Sequence, residues 1–390
     1  MLKINLLLVN YIFLDLHMCR TSRFNILYSL KKKGVNVSFY ACYLNNKFDN
    51  SYDYNIFQQK LPKTKFLKYI YYIIITSLNL ISIDKKNNID ILFIDPYSVI
   101  PSIPIFIKKK IFGKKLKIIL DFRSGIFHFR REKYLDLLLD KYTSLIVKIS
   151  QVICNGYTFI TPELHQYIVS KYSIMNKKYS YWSSAVSEEF VTAPLSLIEN
   201  FDKTPIKILY HGSLGPDRGL LEIILSMKKI ESINLPVKLY IAGSGELKEK
   251  MSALITELNL KNIEMLGVLN QAEVIDLINK VDGGIVVLSD ILPMRTSSPL
   301  KLMEYLALNK PVIITDLPNY KFIIENNKNS LVLINDNMPD SIANGIEYFV
   351  HNVTQLKIEA SNSRNFIINN YLWDMQAERL NKFILSICDD

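Results

Sequence analysis

SSPLKLMEYLALNKPVIITD, residues 297–316, sets Lys301 and Glu304 three positions apart in an otherwise apolar run. Ser298 is placed to cap a helix, and Pro299 to be its first residue. The spacing puts Lys301 and Glu304 about one turn apart on one helical face. The Asn-Lys-Pro break at 309–311 ends the helix, and VIIT at 312–315 reads as a buried strand. A helix N-terminus attracts anions. A carboxylate in the first turns could accept hydrogen bonds from a ribose diol, as acidic residues do in dinucleotide folds, and the lysine could meet a phosphate. A plain surface Lys–Glu pair accounts for the same two residues.

The strand-to-helix junction recurs upstream. In HGSLGPDRGLLEII, residues 211–224, Gly212 and Gly215 permit a tight turn and a helix begins near Gly219. Unsatisfied N–H groups at a helix start accept phosphate, and Arg218 adds a fixed cationic fork. YIAGSGELKEK, residues 240–250, repeats the pattern with Gly243 and Gly245. Each is also an ordinary glycine-rich turn. Together the three junctions make a nucleoside-diphosphate site better than any does singly.

Further strands are expected at 206–210, 237–242, 263–266, 285–288 and 331–333, with helices between them at 220–229, 246–258 and 273–280. The first half reads the same way, with strands at 3–9, 35–43, 89–95 and 116–120 and a helix at 20–33 that stops at Gly34. Alternating strands and helices imply parallel, doubly wound sheets. The pattern weakens between about 179 and 204, where a polar stretch ends at Pro205, and the linker is placed there. The expectation is an α/β protein of two tandem domains, 1–195 and 204–368, with a cleft between, and a C-terminal segment 369–390.

Of 390 residues 49% are hydrophobic, ample for two cores. Charge is unevenly placed. Residues 1–200 carry 28 Lys/Arg against 14 Asp/Glu, and residues 201–390 carry 19 against 23. A basic half suits nucleic acid, anionic lipid or a phosphorylated substrate. No RNA- or DNA-binding motif accompanies it, so nucleic acid is not expected as a partner. The four cysteines form no CxxC and no zinc spacing, which suits reduced thiols in the cytoplasm. The N-terminus has no signal-peptide pattern. YIYYIIITSLNLISI, residues 69–83, is shorter than the ~20 residues of a spanning helix. It reads either as a half-buried helix or as an interfacial one, since lysines flank it and a second basic patch follows at 107–117.

The motifs GSL…RG at 212–219, AGSG at 242–245, and SPLKLMEYLA at 298–307 followed by KPVI at 310–313 resemble glycosyltransferase family 4 in order and spacing. YLWDMQAERLNKFI, residues 371–384, resembles that family's final helix, and WSSAVSEEF, residues 182–190, its domain junction. The resemblance implies the GT-B fold: two Rossmann-like domains whose parallel sheets face a central cleft, with the C-terminal helix crossing back to the N-terminal domain. It implies a retaining, metal-independent hexosyltransferase-type enzyme without a cofactor. Its substrate would be a nucleotide-sugar, UDP- first and GDP- next. Glu304 matches the glutamate that holds the donor ribose, and Arg218 and Lys301 match cations near the diphosphate. Gly212, Ser213, Gly243, Gly245, Ser298, Pro299 and Leu300 fall on donor-binding positions.

The chain departs from the family in places. The first glutamate of the family's pair is Thr296 here, still taken as donor-binding, and Ser213 replaces the usual Arg or Asn. A histidine after the fourth strand is replaced by Arg123, which cannot act as a base. Arg123, His128 and His17 are the acceptor-side candidates. The expected acceptor is a lipid-linked or growing glycan in cell-surface polysaccharide synthesis (capsule, O-antigen or exopolysaccharide). The protein would then be peripheral at the inner membrane face, bound to an anionic membrane surface through its basic half. A nucleotide-sugar epimerase on the same fold, or a degenerate non-catalytic scaffold, are the alternatives.

Overall fold

Short, mostly apolar runs form the strands of two parallel sheets, and the amphipathic stretches between them form the crossover helices. The structure, a computed structural model, describes residues 4–15, 20–49, 52–123, 133–174, 177–195 and 205–389. The chain divides into two units, Met1–Ser184 with Trp373–Asp390, and Ala185–Leu372.

The first unit runs β1 (Asn5–Phe13), α1 (Arg20–Lys32), β2 (Asn36–Tyr43), β3 (Asn55–Lys60), α2 (Lys65–Asn87), β4 (Ile91–Ile94), α3 (Val99–Ile111), β5 (Lys117–Phe122), α4 (Lys133–Ile153), β6 (Gly156–Phe159), α5 (Pro162–Tyr172) and β7 (Tyr179–Tyr181). Its sheet is ordered β3-β2-β1-β4-β5-β6-β7 and is parallel throughout. Strands β3, β6 and β7 were not expected. The first is rich in polar residues, the second starts on glycine, and the third has three residues.

The second unit contains α6 (Glu188–Thr192), β8 (Ile206–His211), α7 (Leu220–Ser232), β9 (Val237–Ala242), α8 (Lys248–Glu257), β10 (Ile263–Gly267), α9 (Gln271–Lys280), β11 (Gly283–Val286), α10 (Leu292–Arg295), α11 (Leu300–Ala307), β12 (Val312–Thr315), α12 (Lys321–Asn327), β13 (Leu331–Ile334), α13 (Pro339–Ala360) and α14 (Ser363–Asn370). Its parallel sheet is ordered β10-β9-β8-β11-β12-β13. One core packs under α7 and α13 and another under α11.

The last helix, α15 (Trp373–Cys388), returns to the first unit. Lys33 Nζ lies 2.9 Å from Glu378, and Ser183 N donates to Gln376 Oε1 at 3.0 Å. A Cβ at Gly156 would come within 3 Å of the tips of Phe383 and Ile387, so β6 and α15 are closely packed there.

The boundary falls within the weak stretch 179–204, ahead of residue 195 where the first domain was expected to end. Residues 185–195 belong to the second unit because Val186 and Phe190 join its core, and Val186 N donates to Tyr371 O at 2.7 Å. Residues 369–372 stay there too, so the returning helix starts at Trp373. For residues 69–83, both faces of α2 matter. Tyr72, Thr76, Leu80 and Ile83 are buried, while Leu67, Ile70, Tyr71, Ile74 and Leu78 are exposed. Among the described residues no helix is long and apolar enough to cross a membrane.

Candidate active site

The strand order of the second sheet reverses between β8 and β11. Strand β9 lies on one side of β8 and β11 on the other, and ligands of open parallel sheets bind beyond the carboxyl ends at such a point. A cavity of about 350 Å3 opens there, lined by Tyr210, Gly212, Arg218, Lys301, Glu304 and Tyr320 among others. A larger groove of about 830 Å3 runs beside β13 and α13, but its lining is mostly amides and aliphatic side chains, with Lys328 its one cation. The smaller cavity is the one where cations, a carboxylate and a histidine converge.

Its floor is the turn after β8, held from behind by the turn after β9. Gly212 N donates to Ala242 O at 2.8 Å, and Leu214 N to Ser244 O at 2.9 Å. Gly212 has φ +117° and Gly243 φ +147°, conformations that favour glycine. A side chain on Gly243 would overlap the carbonyl of Gly212, and one on Gly212 would overlap the Lys301 stem. Gly243 and Gly245 therefore support the turn and do not line the cavity.

Helix α11 supplies the charges. It begins at Leu300, with Pro299 at the cap position (φ −85°, ψ 70°), and no side chain caps it. Ser298, expected as the cap, instead accepts from Leu300 N through its carbonyl at 3.0 Å. Ser298, Pro299 and Leu300 all line the cavity. Lys301 Nζ donates to Tyr210 Oη at 3.2 Å and lies 4.8 Å from the centre of that ring. Tyr210 in turn donates to Ser213 O at 2.7 Å. Among the described residues Lys301 makes no ion pair within 4 Å.

Burial sets the electrostatics of the cavity. Burial, reinforced by Arg218, pushes the Lys301 ammonium down to about 7, with Glu304 opposing. Burial pushes the Glu304 carboxyl up to about 8 against the pull of Lys301. His211 Nε2 lies 3.5 Å from Glu304 Oε2 without a hydrogen bond. Burial, then Lys301, lowers His211 to about 3, so the imidazole is neutral. Tyr320 Oη is buried, lines the cavity and has no hydrogen-bond partner. An unpaired buried hydroxyl costs about 1–3 kcal/mol. Neighbouring Asn319 donates to Met294 O at 3.0 Å and Ser297 O at 2.6 Å, fixing the chain ahead of α11.

Arg218, Lys301, Glu304, Gly212, Ser213, Ser298, Pro299 and Leu300 thus come together. Thr296 does not join them. It is buried away from the cavity lining, and its hydroxyl donates to Leu292 O at 2.9 Å, because the short helix α10 turns it back on itself. His211, Tyr320 and Asn319 were missed. Strand alternation carried a signal for His211, which shares a face with Leu209, the face that α11 covers.

In the first unit, Arg123 follows β5. Its Nη1 donates to Trp182 O at 2.6 Å, and its guanidinium stacks 3.5 Å from the centre of the Trp182 ring. His17 and His128 lie outside the described residues. Among the described residues no group of three or more His, Cys, Asp and Glu side chains could hold a metal ion.

None of the curated proteins matches the chain in sequence. Over its whole length the chain is similar to a solved glycosyltransferase from Rickettsia africae ESF-5, with 16% identity, 100% of both chains covered and a TM-score of 0.73. It is also similar to the lipopolysaccharide outer core galactosyltransferase WaaB, with 15% identity, 98% and 99% covered and a TM-score of 0.69. A third likeness is Anabaena HepE in complex with UDP-glucose, with 10% identity, 98% and 100% covered and a TM-score of 0.68. Residues 196–370 match the family of Glycosyl transferases group 1. The chain therefore has the two-sheet fold of the GT-B glycosyltransferases, with the group 1 sequence pattern carried by its second unit.

Proposed function

We propose that this protein is a retaining glycosyltransferase. It moves a sugar from a nucleoside-diphosphate donor to a lipid-linked or growing-glycan acceptor in cell-surface polysaccharide assembly. The observation that carries this reading is the convergence of Arg218, Lys301 and Glu304 on one cavity at the carboxyl ends of β8 and β11.

Lys301 and Arg218 meet the diphosphate, and Glu304 accepts hydrogen bonds from the ribose. When the bond from the sugar's anomeric carbon to the phosphate breaks, negative charge grows on the leaving oxygen. The two cations and the backbone N–H groups ahead of α11 stabilise it. The acceptor hydroxyl bonds to the same carbon on the same face, and its proton passes to the departing phosphate. No protein nucleophile and no metal enter this scheme. The bound UDP-glucose of HepE supports a UDP-sugar as first choice, with GDP-sugars next. The lipopolysaccharide in the name of WaaB supports the acceptor class.

The test is thermal stabilisation by a panel of UDP-, GDP-, dTDP- and ADP-sugars, with Glu304→Ala beside the wild type. A ligand that binds only the folded state adds about 2.7 kcal/mol at 100 times its Kd. The expected result is a selective rise that Glu304→Ala loses, followed by transfer that retains the anomer and persists in chelator. No rise with any donor overturns the reading.

A further inference from the structure

We propose that the outer face of α2, with the C-terminal end of α3, is a docking surface for an anionic lipid bilayer. A helix that merely covers a sheet turns polar residues to solvent. Helix α2 does the reverse. Leu67 (56% exposed), Ile70 (43%), Tyr71 (43%), Ile74 (54%) and Leu78 (60%) stand outward. Their spacing of three, four, seven and eleven residues from Leu67 draws one straight stripe, about 16 Å long at 1.5 Å per residue. At 100° per residue, the exposed Lys85 falls on the same side of the helix and closes the stripe at its C-terminal end, and the exposed Lys63 stands in the chain just before the helix begins.

Helix α3 extends the surface. Ser77 Oγ donates to Pro101 O at 3.2 Å, and Asp84 lies 2.8 Å from Lys109 and 3.6 Å from Lys108, so the two helices run side by side in the same direction. At the end of α3, Ile107 (48%), Ile111 (72%) and Phe112 (68%) are exposed. Lys110, Lys114 and Lys115 are exposed beside them.

Charge selects the occupant. Residues 61–117 contain eleven lysines and three aspartates. Asp84 and Asp95 are buried, and Asp90 is half-buried, accepting from Asn5 N at 2.8 Å. The patch is thus apolar, ringed by ammonium groups and without an exposed acid in this segment. Long lysine stems let apolar residues enter the acyl boundary while the charges stay among lipid phosphates. A second copy is a poorer occupant, because a two-fold pairing brings the same lysines against one another.

The experiment is flotation of the full chain with vesicles of phosphatidylcholine alone, or of phosphatidylcholine and phosphatidylglycerol in equal parts. The expected result is binding to the anionic vesicles only, weakened by salt. Ile74→Ser with Leu78→Ser weakens it at least about 10-fold, as two apolar anchors leave the acyl boundary. Lys114→Gln with Lys115→Gln weakens it about 25-fold, at about 5-fold per lysine. All these residues are exposed, so melting temperatures stay at the wild-type value. Absent flotation, equal binding to neutral vesicles, or binding untouched by either pair overturns the proposal. So does a lipid-free dimer in sedimentation that Ile74→Ser dissociates. None of these readouts uses sugar transfer, so this proposal and the proposed activity fail separately.

Discussion

Each unit buries charge at the carboxyl ends of its sheet, and the two do it differently. In the first, Asp121 accepts from Thr158 Oγ1 at 2.7 Å and Trp182 Nε1 at 2.9 Å. Asp95 accepts from Tyr11 N at 2.7 Å and Ser98 N at 2.9 Å. Burial raises both carboxyls, with Arg23 among the groups that pull them back, and Asp95 comes to about 6. In the second unit, Lys301 has one tyrosine oxygen, while His211 Nε2 and Tyr320 Oη have no hydrogen-bond partner. Buried charge alone does not mark a ligand site. The cavity differs in that cations, a carboxylate, an unpaired imidazole nitrogen and an unpaired hydroxyl line one space, a combination that polar ligands can use.

The largest test of that contrast is Lys301→Ala. Removing one preorganised cation lowers the transfer rate by about 10²–10³-fold, read as kcat on the donor found by the panel. The ligand-free melting temperature does not fall, since a buried charge has gone. The mirror experiment is Asp121→Ala, which strands Trp182 Nε1 and Thr158 Oγ1. It destabilises the first unit by about 2–3 kcal/mol, seen in urea unfolding. The rise in stability of the second unit with nucleotide-sugar persists. Loss of nucleotide binding in Asp121→Ala would erase the distinction between the clusters.

A pH series sharpens it. The free protein holds Lys301 near 7, and a bound diphosphate restores its charge. Above pH 7 binding must take up a proton, so affinity for a nucleotide-sugar falls as pH rises, by at most about tenfold per unit. Lys301→Arg flattens the slope, because guanidinium stays charged. Ionisation of Glu304 near 8 acts in the opposite sense. An affinity that rises with pH would therefore assign control to the carboxylate. The smallest effect belongs to Tyr320→Phe. Deleting an unpaired buried hydroxyl stabilises the free protein by about 1 kcal/mol and weakens donor binding about 5-fold, a split that calorimetry and melting resolve.

The sequence made legible what local spacing dictates. Lys301 and Glu304 share a helix face because they are three apart, and Gly212 and Gly215 mark the tight turn that brings Arg218 to the cavity. The place of Thr296 was not legible, because its orientation depends on the single turn of α10, whose Leu292 carbonyl captures the hydroxyl. The start of α11 slipped by one residue because Pro299 keeps a non-helical ψ of 70°. Tyr320 was out of reach. It lies beyond β12 and comes to the cavity only when that strand takes its place in the sheet.

The interlock of Gly212 and Gly243 has a genealogical consequence. The carbonyl of one residue fills the space that a side chain of the other would need. The turns after β8 and β9, separated by a whole crossover helix, therefore drift as one inherited block. A chimera that exchanges either turn alone imports half of a joint, whereas exchanging both carries the floor of the cavity intact.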